Sequence, residues 1–173
     1  MLRQALAMFG KSATNEAADR ILTAVSAAAR APDLFGEGRA PDTLDGRFEM
    51  ATLFACLALQ RLRAAPEADR VAQVFTDRLF RLFDAGLREA GVGDLTVPKR
   101  MKKIAAAFYG RLGAYGPAFS DETALAAALS RNIWGLDAHA FAPELARRTA
   151  ALWSRIEGLP PASLEQPDVW NLS

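Results

Sequence analysis

The sequence predicts an all-α protein, a single-domain irregular bundle of about six helices. Apolar residues recur at spacings of three and four along most of the chain, which is typical of amphipathic helices. Segments rich in glycine and proline separate these stretches, and no stretch alternates between apolar and polar residues as a half-buried strand does. The 173 residues suit one domain. We divide them into an N-terminal segment with amphipathic potential (residues 1–13), a helical domain (14–158) and an extended C-terminal tail (159–173).

Two helices are expected in the first third of the chain. The first covers about residues 14–30, where Ser12 or Thr14 can cap its N-terminus. A loop rich in glycine and proline follows, and the second helix begins near Asp42 and Asp45, which are expected to cap and charge its N-terminus. The second helix is expected to be central because its apolar stripe is wide, with Met50, Leu53, Phe54 and Leu57.

The third helix has a well-specified end. It should begin at Pro66 and continue to about residue 90, since proline is favoured in the first turn. Gly91 can adopt the left-handed conformation that ends many helices. Leu87 and Val92 are then spaced to touch in a Schellman motif.

Three further helices complete the expected bundle. The fourth covers about residues 97–115, and the fifth is capped by Ser120 and ends at Gly135. The sixth covers about residues 142–157 and is stopped by a glycine and two prolines.

Composition excludes several classes of protein. The formal net charge is +1, so the whole molecule is not expected to attract nucleic acid or anionic lipid. Cys56 is the single cysteine, which excludes an intramolecular disulfide and suits a reducing compartment. The longest apolar stretch, residues 50–59, is well short of the roughly 20 residues that span a bilayer. Abundant arginine and alanine suggest a GC-rich bacterial genome, and we expect a cytoplasmic location.

No catalytic or metal-binding motif is evident, and we expect neither enzymatic activity nor a cofactor or bound metal. His139 is the single histidine and is expected at the surface or at a helix cap, while Cys56 should be buried and inert. An alternative is a small-molecule enzyme. A deep pocket would then contain its charged groups, Asp42, Asp45, Arg47 and Asp94.

A basic cluster, defined as Lys99, Arg100, Lys102 and Lys103, holds three of the four lysines of the chain. It falls in the first turns of the fourth helix, where the helix dipole disfavours cations. Intrinsic helix stability therefore does not explain the cluster. Both a solvated helix face and a partner-binding patch remain open.

Several segments resemble the ubiquinol–cytochrome c chaperone family. The resemblance covers about residues 17–119 and departs from the usual family pattern at Phe54 and Ala90. After Ser120 no family motif is recognised. The matching segments are ARAP (29–32), PDTLDGRFEM (41–50), LREAGVGD (87–94), KRMKK (99–103) and AFYGR (107–111).

The resemblance implies an assembly chaperone that binds newly made cytochrome b, or another membrane-protein client, during assembly of the cytochrome bc complex (respiratory complex III). It also implies a small partner protein, the ribosome and peripheral contact with the inner face of the cytoplasmic membrane. The partner-binding residues expected from these segments are Asp42, Asp45, Arg47, Arg88, Asp94, Lys99, Arg100, Lys102, Lys103 and Arg111.

A second alternative is a peripheral membrane or lipid-binding helical module. The N-terminal segment is amphipathic if Leu2, Leu6 and Phe9 share an exposed face.

Overall fold

Six α-helices make up the bundle in the computed structural model, which describes the backbone of residues 2–172 and the side chains of residues 10–172. No β-strand occurs among these residues, so the predicted all-α class is confirmed. The helices are α1 (Leu2–Ala28), α2 (Leu44–Arg63), α3 (Asp69–Glu89), α4 (Val97–Ala118), α5 (Glu122–Leu129) and α6 (Ala142–Ile156).

Helix α2 is the centre of the bundle, as its wide apolar stripe predicts. Every residue from 52 to 59 is buried, and α2 packs against α1, α3 and α4. The predicted stripe residues Met50, Leu53, Phe54 and Leu57 are all in the core. Because α2 packs against three other helices, residues from those helices can lie close to its N-terminal end.

Helix α1 begins at Leu2, about three turns before the predicted start at residue 14. Neither Ser12 nor Thr14 is a cap. The Thr14 hydroxyl donates to the Gly10 carbonyl oxygen at 2.9 Å, and the Ser12 hydroxyl donates to Glu16 at 2.9 Å. Such hydroxyl groups can serve a cap or the helix interior, so the local sequence could not distinguish the two.

Two predicted helix caps are one residue away from the observed ones. Thr43, and not Asp42 or Asp45, caps α2, since its hydroxyl accepts the Gly46 N–H at 3.1 Å. Asp45 lies in the first turn of α2, where its charge suits the helix dipole. Asp121, and not Ser120, caps α5, because its carboxylate accepts the Ala124 N–H at 3.0 Å.

The end of α3 is a Schellman motif, as predicted. Gly91 has a φ of 81°. The Val92 N–H donates to the Leu87 carbonyl oxygen at 3.0 Å, and the Gly91 N–H donates to the Arg88 carbonyl oxygen at 3.0 Å. The start of the third helix differs slightly, since residues 66–68 form a 3₁₀ turn before α3 begins at Asp69.

The segment after α6 is packed against the bundle, so the expected extended tail is wrong for its described part. It forms two 3₁₀ turns, Pro161–Glu165 and Pro167–Trp170. The Trp170 indole N–H donates to the Leu164 carbonyl oxygen at 2.9 Å, and both side chains are buried with Leu172. The segment docks because docking removes most of the apolar surface of these three side chains from water.

A π-helical turn at Ser130–Trp134 continues α5 and ends at Gly135, which has a φ of 67°. The predicted stop at Gly135 is therefore confirmed. The widened turn carries Asn132 and Ile133 to the edge of the cleft described below.

Candidate functional site

A cleft of about 690 Å³ opens around the N-terminal end of α2. Its walls come from the end of α1, the loop and first turns of α2, the second half of α3, the middle of α4 and the π-helical turn. Pockets that hold small molecules have volumes in this range.

The walls of the cleft are largely apolar. Phe48 of α2 and Phe83 of α3 meet edge to face, with ring centroids 5.0 Å apart. Leu44, at the first position of α2, lines the cleft and is 43% exposed. Leu87 and Ile104 extend the apolar lining along α3 and α4. The cleft can therefore bury apolar groups of a partner.

An ion pair involves one of the residues that line the cleft, Glu49. Glu49 lines the cleft and is buried, and both of its carboxylate oxygens accept hydrogen bonds from Arg111 of α4. The Nε–Oε2 distance is 2.5 Å, and Arg111 also donates to the Ala107 carbonyl oxygen at 3.1 Å. Burial raises the pKa of the Glu49 carboxyl, Arg111 opposes that shift, and Asp45 adds to it.

Close backbone packing shapes the rim beside α2. A Cβ atom at Gly46 would lie 1.9 Å from the carbonyl oxygen of Pro41. Only glycine permits this approach, so the loop from residue 41 can fold directly over the first turn of α2. This contact explains a glycine at the start of a helix, where its low helix propensity otherwise costs stability.

Charged groups from the PDTLDGRFEM segment lie at or beside the rim, by which we mean the exposed part of the cleft lining. Asp42 and Arg47 form an exposed ion pair at 2.7 Å, and the Arg47 guanidinium also lies over the Phe35 ring, 5.4 Å from its centroid. Asp45 and Arg47 line the cleft together with Lys103 from α4. The structure therefore brings these three predicted residues to one opening.

A second location contains Arg88, in the last turn of α3, and Asp94, in the loop between α3 and α4. Arg88 pairs with Asp84 at 2.7 Å and also with Asp94. These contacts tie the end of α3 to the loop that follows it. Leu95, the next residue, is 99% exposed.

The basic cluster faces solvent along the first turns of α4. All four side chains are exposed, and none of them forms an ion pair with any residue of the described part of the chain. Lys103 also reaches the cleft. The cluster therefore keeps its charge available for a partner.

Arg111 differs from the other nine predicted partner-binding residues. Its side chain is 16% exposed, and its guanidinium is already paired with Glu49. The structure gives Arg111 a role in holding α2 and α4 together, and we leave it out of the proposed binding surface.

The residues of the enzyme alternative do not share a pocket. Asp45 and Arg47 line the cleft, but Asp42 and Asp94 are not among its lining residues. Across residues 10–172 no group of three or more His, Cys, Asp and Glu side chains is arranged to hold a metal ion. Cys56 is fully buried and its burial raises its pKa, as expected for an inert thiol.

His139 lies just before α6 and is partly exposed, but no side chain caps α6, so the capping alternative is not observed. The His139 Nδ1 accepts the Phe141 N–H at 3.2 Å. Its ring stacks on Trp134 with centroids 4.0 Å apart and an interplanar angle of 3°.

The lipid-binding alternative rested on Leu2, Leu6 and Phe9, whose side chains lie outside the described residues. Their backbone belongs to α1. None of the helices within residues 2–172 combines the length and the hydropathy that a membrane-spanning segment needs.

Sequence reasoning missed Glu49, Gly46 and Phe83 as cleft residues. Glu49 and Gly46 do belong to the PDTLDGRFEM segment, so the family resemblance could have indicated them as site residues. A charged residue on the apolar side of a central helix indicates a buried partner, but the sequence does not say which arginine provides it.

Comparisons with known proteins agree with this architecture. The family model described as ubiquinol–cytochrome C chaperone matches residues 37–167. Because the match covers more than half of the chain, the protein belongs to the ubiquinol–cytochrome c chaperone family. The match continues through the segment after Ser120, where no family motif had been recognised.

A solved structure supports the same assignment. The crystal structure of the Cbp3 homolog from Brucella abortus is similar to this chain with 39% sequence identity and a TM-score of 0.81. The similarity covers 97% of this chain and 94% of that one. A comparison with curated proteins found no match.

Proposed function

We propose that this protein is an assembly chaperone that binds newly made cytochrome b and assists assembly of the cytochrome bc complex. Membership of the chaperone family supports a role in complex III assembly. The cleft around α2 supports client binding by this chain, because it combines apolar walls with a charged rim. A holdase needs such a surface and no nucleophile.

The cleft would bind an apolar segment of the client that is still unassembled. Phe48, Phe83 and Leu44 provide the apolar contact, and the rim charges of Asp45, Arg47 and Lys103 orient the polar part of the same segment. Burying an apolar side chain in such a cleft stabilises the complex by roughly 1.5–3 kcal/mol. The exposed basic cluster adds electrostatic attraction, which chiefly speeds the encounter.

Leu44→Glu is the variant that tests the cleft. The side chain lines the cleft, is 43% exposed and occupies the first position of α2, where a carboxylate is compatible with the helix. Leu136→Glu is its matched control, since Leu136 is 49% exposed and lies outside the cleft lining.

The measurement is co-purification of cytochrome b with the tagged protein from its own host, together with the cellular level of cytochrome b. We expect both to fall in the Leu44→Glu strain and to stay normal in the Leu136→Glu strain. The same captured material, probed for a small accessory protein and for ribosomal proteins, tests the two other partners that the resemblance implies. Equal cytochrome b capture by the wild type and Leu44→Glu would overturn the proposed use of the cleft.

A further inference from the structure

Trp134 joins two separate parts of the cleft wall. It is the last residue of the π-helical turn, whose Asn132 and Ile133 line the cleft. Its indole N–H donates to the Arg39 carbonyl oxygen at 3.0 Å, across 95 positions of the chain. Arg39 lies two residues before Pro41, which lines the cleft from the loop before α2. One indole therefore connects the π-helical turn to this loop.

The loop before α2 is anchored independently of Trp134. The Ala40 N–H donates to the Leu34 carbonyl oxygen at 3.1 Å, and both residues are buried. The Pro41 carbonyl group lies against Gly46 in the first turn of α2, where a Cβ atom would lie 1.9 Å from the Pro41 oxygen. Loss of the indole hydrogen bond would therefore release the π-helical turn and leave the loop in place.

The imidazole of His139 stacks on the indole of Trp134. The ring centroids are 4.0 Å apart and the interplanar angle is 3°. The imidazole is held from its other side, because its Nδ1 accepts the Phe141 N–H at 3.2 Å. The His139 carbonyl oxygen also accepts the Ala142 N–H at 3.0 Å. His139 thus links the turn before α6 to the residue that connects the two parts of the cleft wall.

The hydrogen bond between His139 and Phe141 requires a neutral imidazole. A ring nitrogen that accepts an N–H carries no proton, so the neutral tautomer has its proton on Nε2. A second proton would go to Nδ1 and point at the Phe141 N–H, which turns an acceptor into a donor. The imidazolium would also lie just before the N-terminus of α6, where the helix dipole disfavours a cation. Both effects favour displacement of the protonated ring.

The charged groups around His139 do not compensate for an added positive charge. On the elements that meet here, these groups are Arg39, Arg131, Asp137 and Glu144. Glu144 already pairs with Arg148 at 3.9 Å, and no ion pair joins His139 to a residue of the described part of the chain. The Arg39 guanidinium lies 5.6 Å from the centroid of the Phe141 ring, so a cation is already present on this aromatic group.

We propose that protonation of His139 loosens the cleft wall at the π-helical turn. Displacement of the imidazole removes the ring that stacks on Trp134, and the indole hydrogen bond to Arg39 is weakened. The loosened state holds the added proton more tightly, so a fall in pH shifts the population towards it.

The consequence for client binding rests on the proposed function. A cleft whose walls are held in place before binding pays less to order them, so the loosened cleft binds the client segment less tightly. We expect a loss of roughly threefold to tenfold in affinity, the scale of one hydrogen bond.

NMR of the full-length protein, free of any histidine tag, tests the loosening without a client. His139 is the single histidine and the chain has three tryptophans, so the imidazole and indole signals are few. The Trp134 indole signal and the backbone amides of the π-helical turn should shift with the same midpoint as the imidazole when pH falls. The Trp170 indole is the internal control, because it is buried and donates to a carbonyl oxygen of the docked C-terminal segment. Its signal should stay unchanged.

Two variants assign the effect to His139. His139→Asn keeps an acceptor near the Nδ1 position and cannot take up the proton. His139→Phe keeps an aromatic ring for stacking and cannot take up the proton either. Both variants should remove the pH dependence of the Trp134 signal. A dependence that persists in both would assign it to another group, such as Glu49, and would overturn the proposal.

Trp134→Phe should imitate the loosened state at every pH, because phenylalanine lacks the indole donor. It should capture less cytochrome b than the wild type above the midpoint and show no further loss below it. Trp153→Phe is the matched control, since Trp153 stacks on Phe119 and lies outside the cleft lining. Thermal melting of every variant checks that it is folded.

Cytochrome b capture at one pH above and one pH below the His139 midpoint completes the test. The wild type should capture roughly threefold to tenfold less below the midpoint, and His139→Asn should capture equal amounts at both. A Trp134 signal that does not follow the imidazole would overturn this inference and leave the chaperone function standing. Absence of cytochrome b capture at either pH would remove the chaperone function, while the NMR titration still decides the loosening.

Discussion

Glu49 of α2, which lines the cleft, forms a two-pronged ion pair with Arg111 of α4. They join two segments that carry the family resemblance but lie 62 positions apart in the chain. The pair connects α2 and α4, and both helices contribute residues to the cleft wall. It is therefore the contact through which the stability and shape of the site can be tested together.

Arg111→Met should lower the free energy of unfolding by roughly 2–4 kcal/mol at neutral pH, because the change leaves a buried carboxylate without its partner. Arg47→Met is the control. Its ion pair with Asp42 is exposed, so the loss should be at most about 1 kcal/mol. Urea unfolding measures both, and adding Glu49→Gln to Arg111→Met should cost less than the sum of the single changes. Additive losses would contradict direct coupling.

The free energy of unfolding should depend on pH through the titration of Glu49. Burial raises its pKa in the folded protein above the ordinary value of 4.5. The folded state therefore holds the Glu49 proton more tightly than the unfolded chain does. As a result, the contribution of Glu49 to the free energy of unfolding falls as pH rises from the ordinary pKa through the raised one. Urea unfolding of the wild type and Glu49→Gln at several pH values measures the effect. The wild type should lose stability relative to the variant between the ordinary pKa and the raised one, and a relative gain would contradict the assignment.

Gly46→Ala should destabilise the protein by roughly 1–3 kcal/mol, since the new methyl group would overlap the Pro41 carbonyl oxygen and force the backbone to move. Gly113→Ala in α4 is the matched control, because no atom lies within 4 Å of a Cβ at that position. Alanine there should leave stability unchanged or raise it by up to about 1 kcal/mol. Thermal and urea unfolding check both variants. Equal effects at the two glycines would show that the contact with Pro41 is unimportant.

Leu87→Ala should lower the free energy of unfolding by roughly 2–5 kcal/mol. Leu87 is buried and lies at the Schellman position whose carbonyl oxygen accepts the Val92 N–H. Leu95→Ala, eight residues later at a fully exposed site, should change stability by less than about 0.5 kcal/mol. Chemical denaturation of the two variants gives the comparison. A loss below that limit for Leu87→Ala would refute its assignment to the core.

The sequence alone determined the all-α class, the central position of α2, the Schellman end of α3 and the exposed basic cluster. These features depend on local spacing or on a short turn, so nearby residues suffice to specify them. Family motifs likewise placed Asp45, Arg47 and Lys103 among the candidates for one surface.

Only the tertiary structure decided which distant groups meet. The partner of Glu49, the contact of Gly46 with Pro41 and the docking of Trp170 each join segments whose relative positions local sequence does not encode. The caps of α2 and α5 were missed by one residue for a related reason: neighbouring Ser, Thr and Asp side chains all can cap, and the path of the loop selects one. The cleft itself is a space between helices, and it exists only because their packing, more than any one motif, fixes the distances across it.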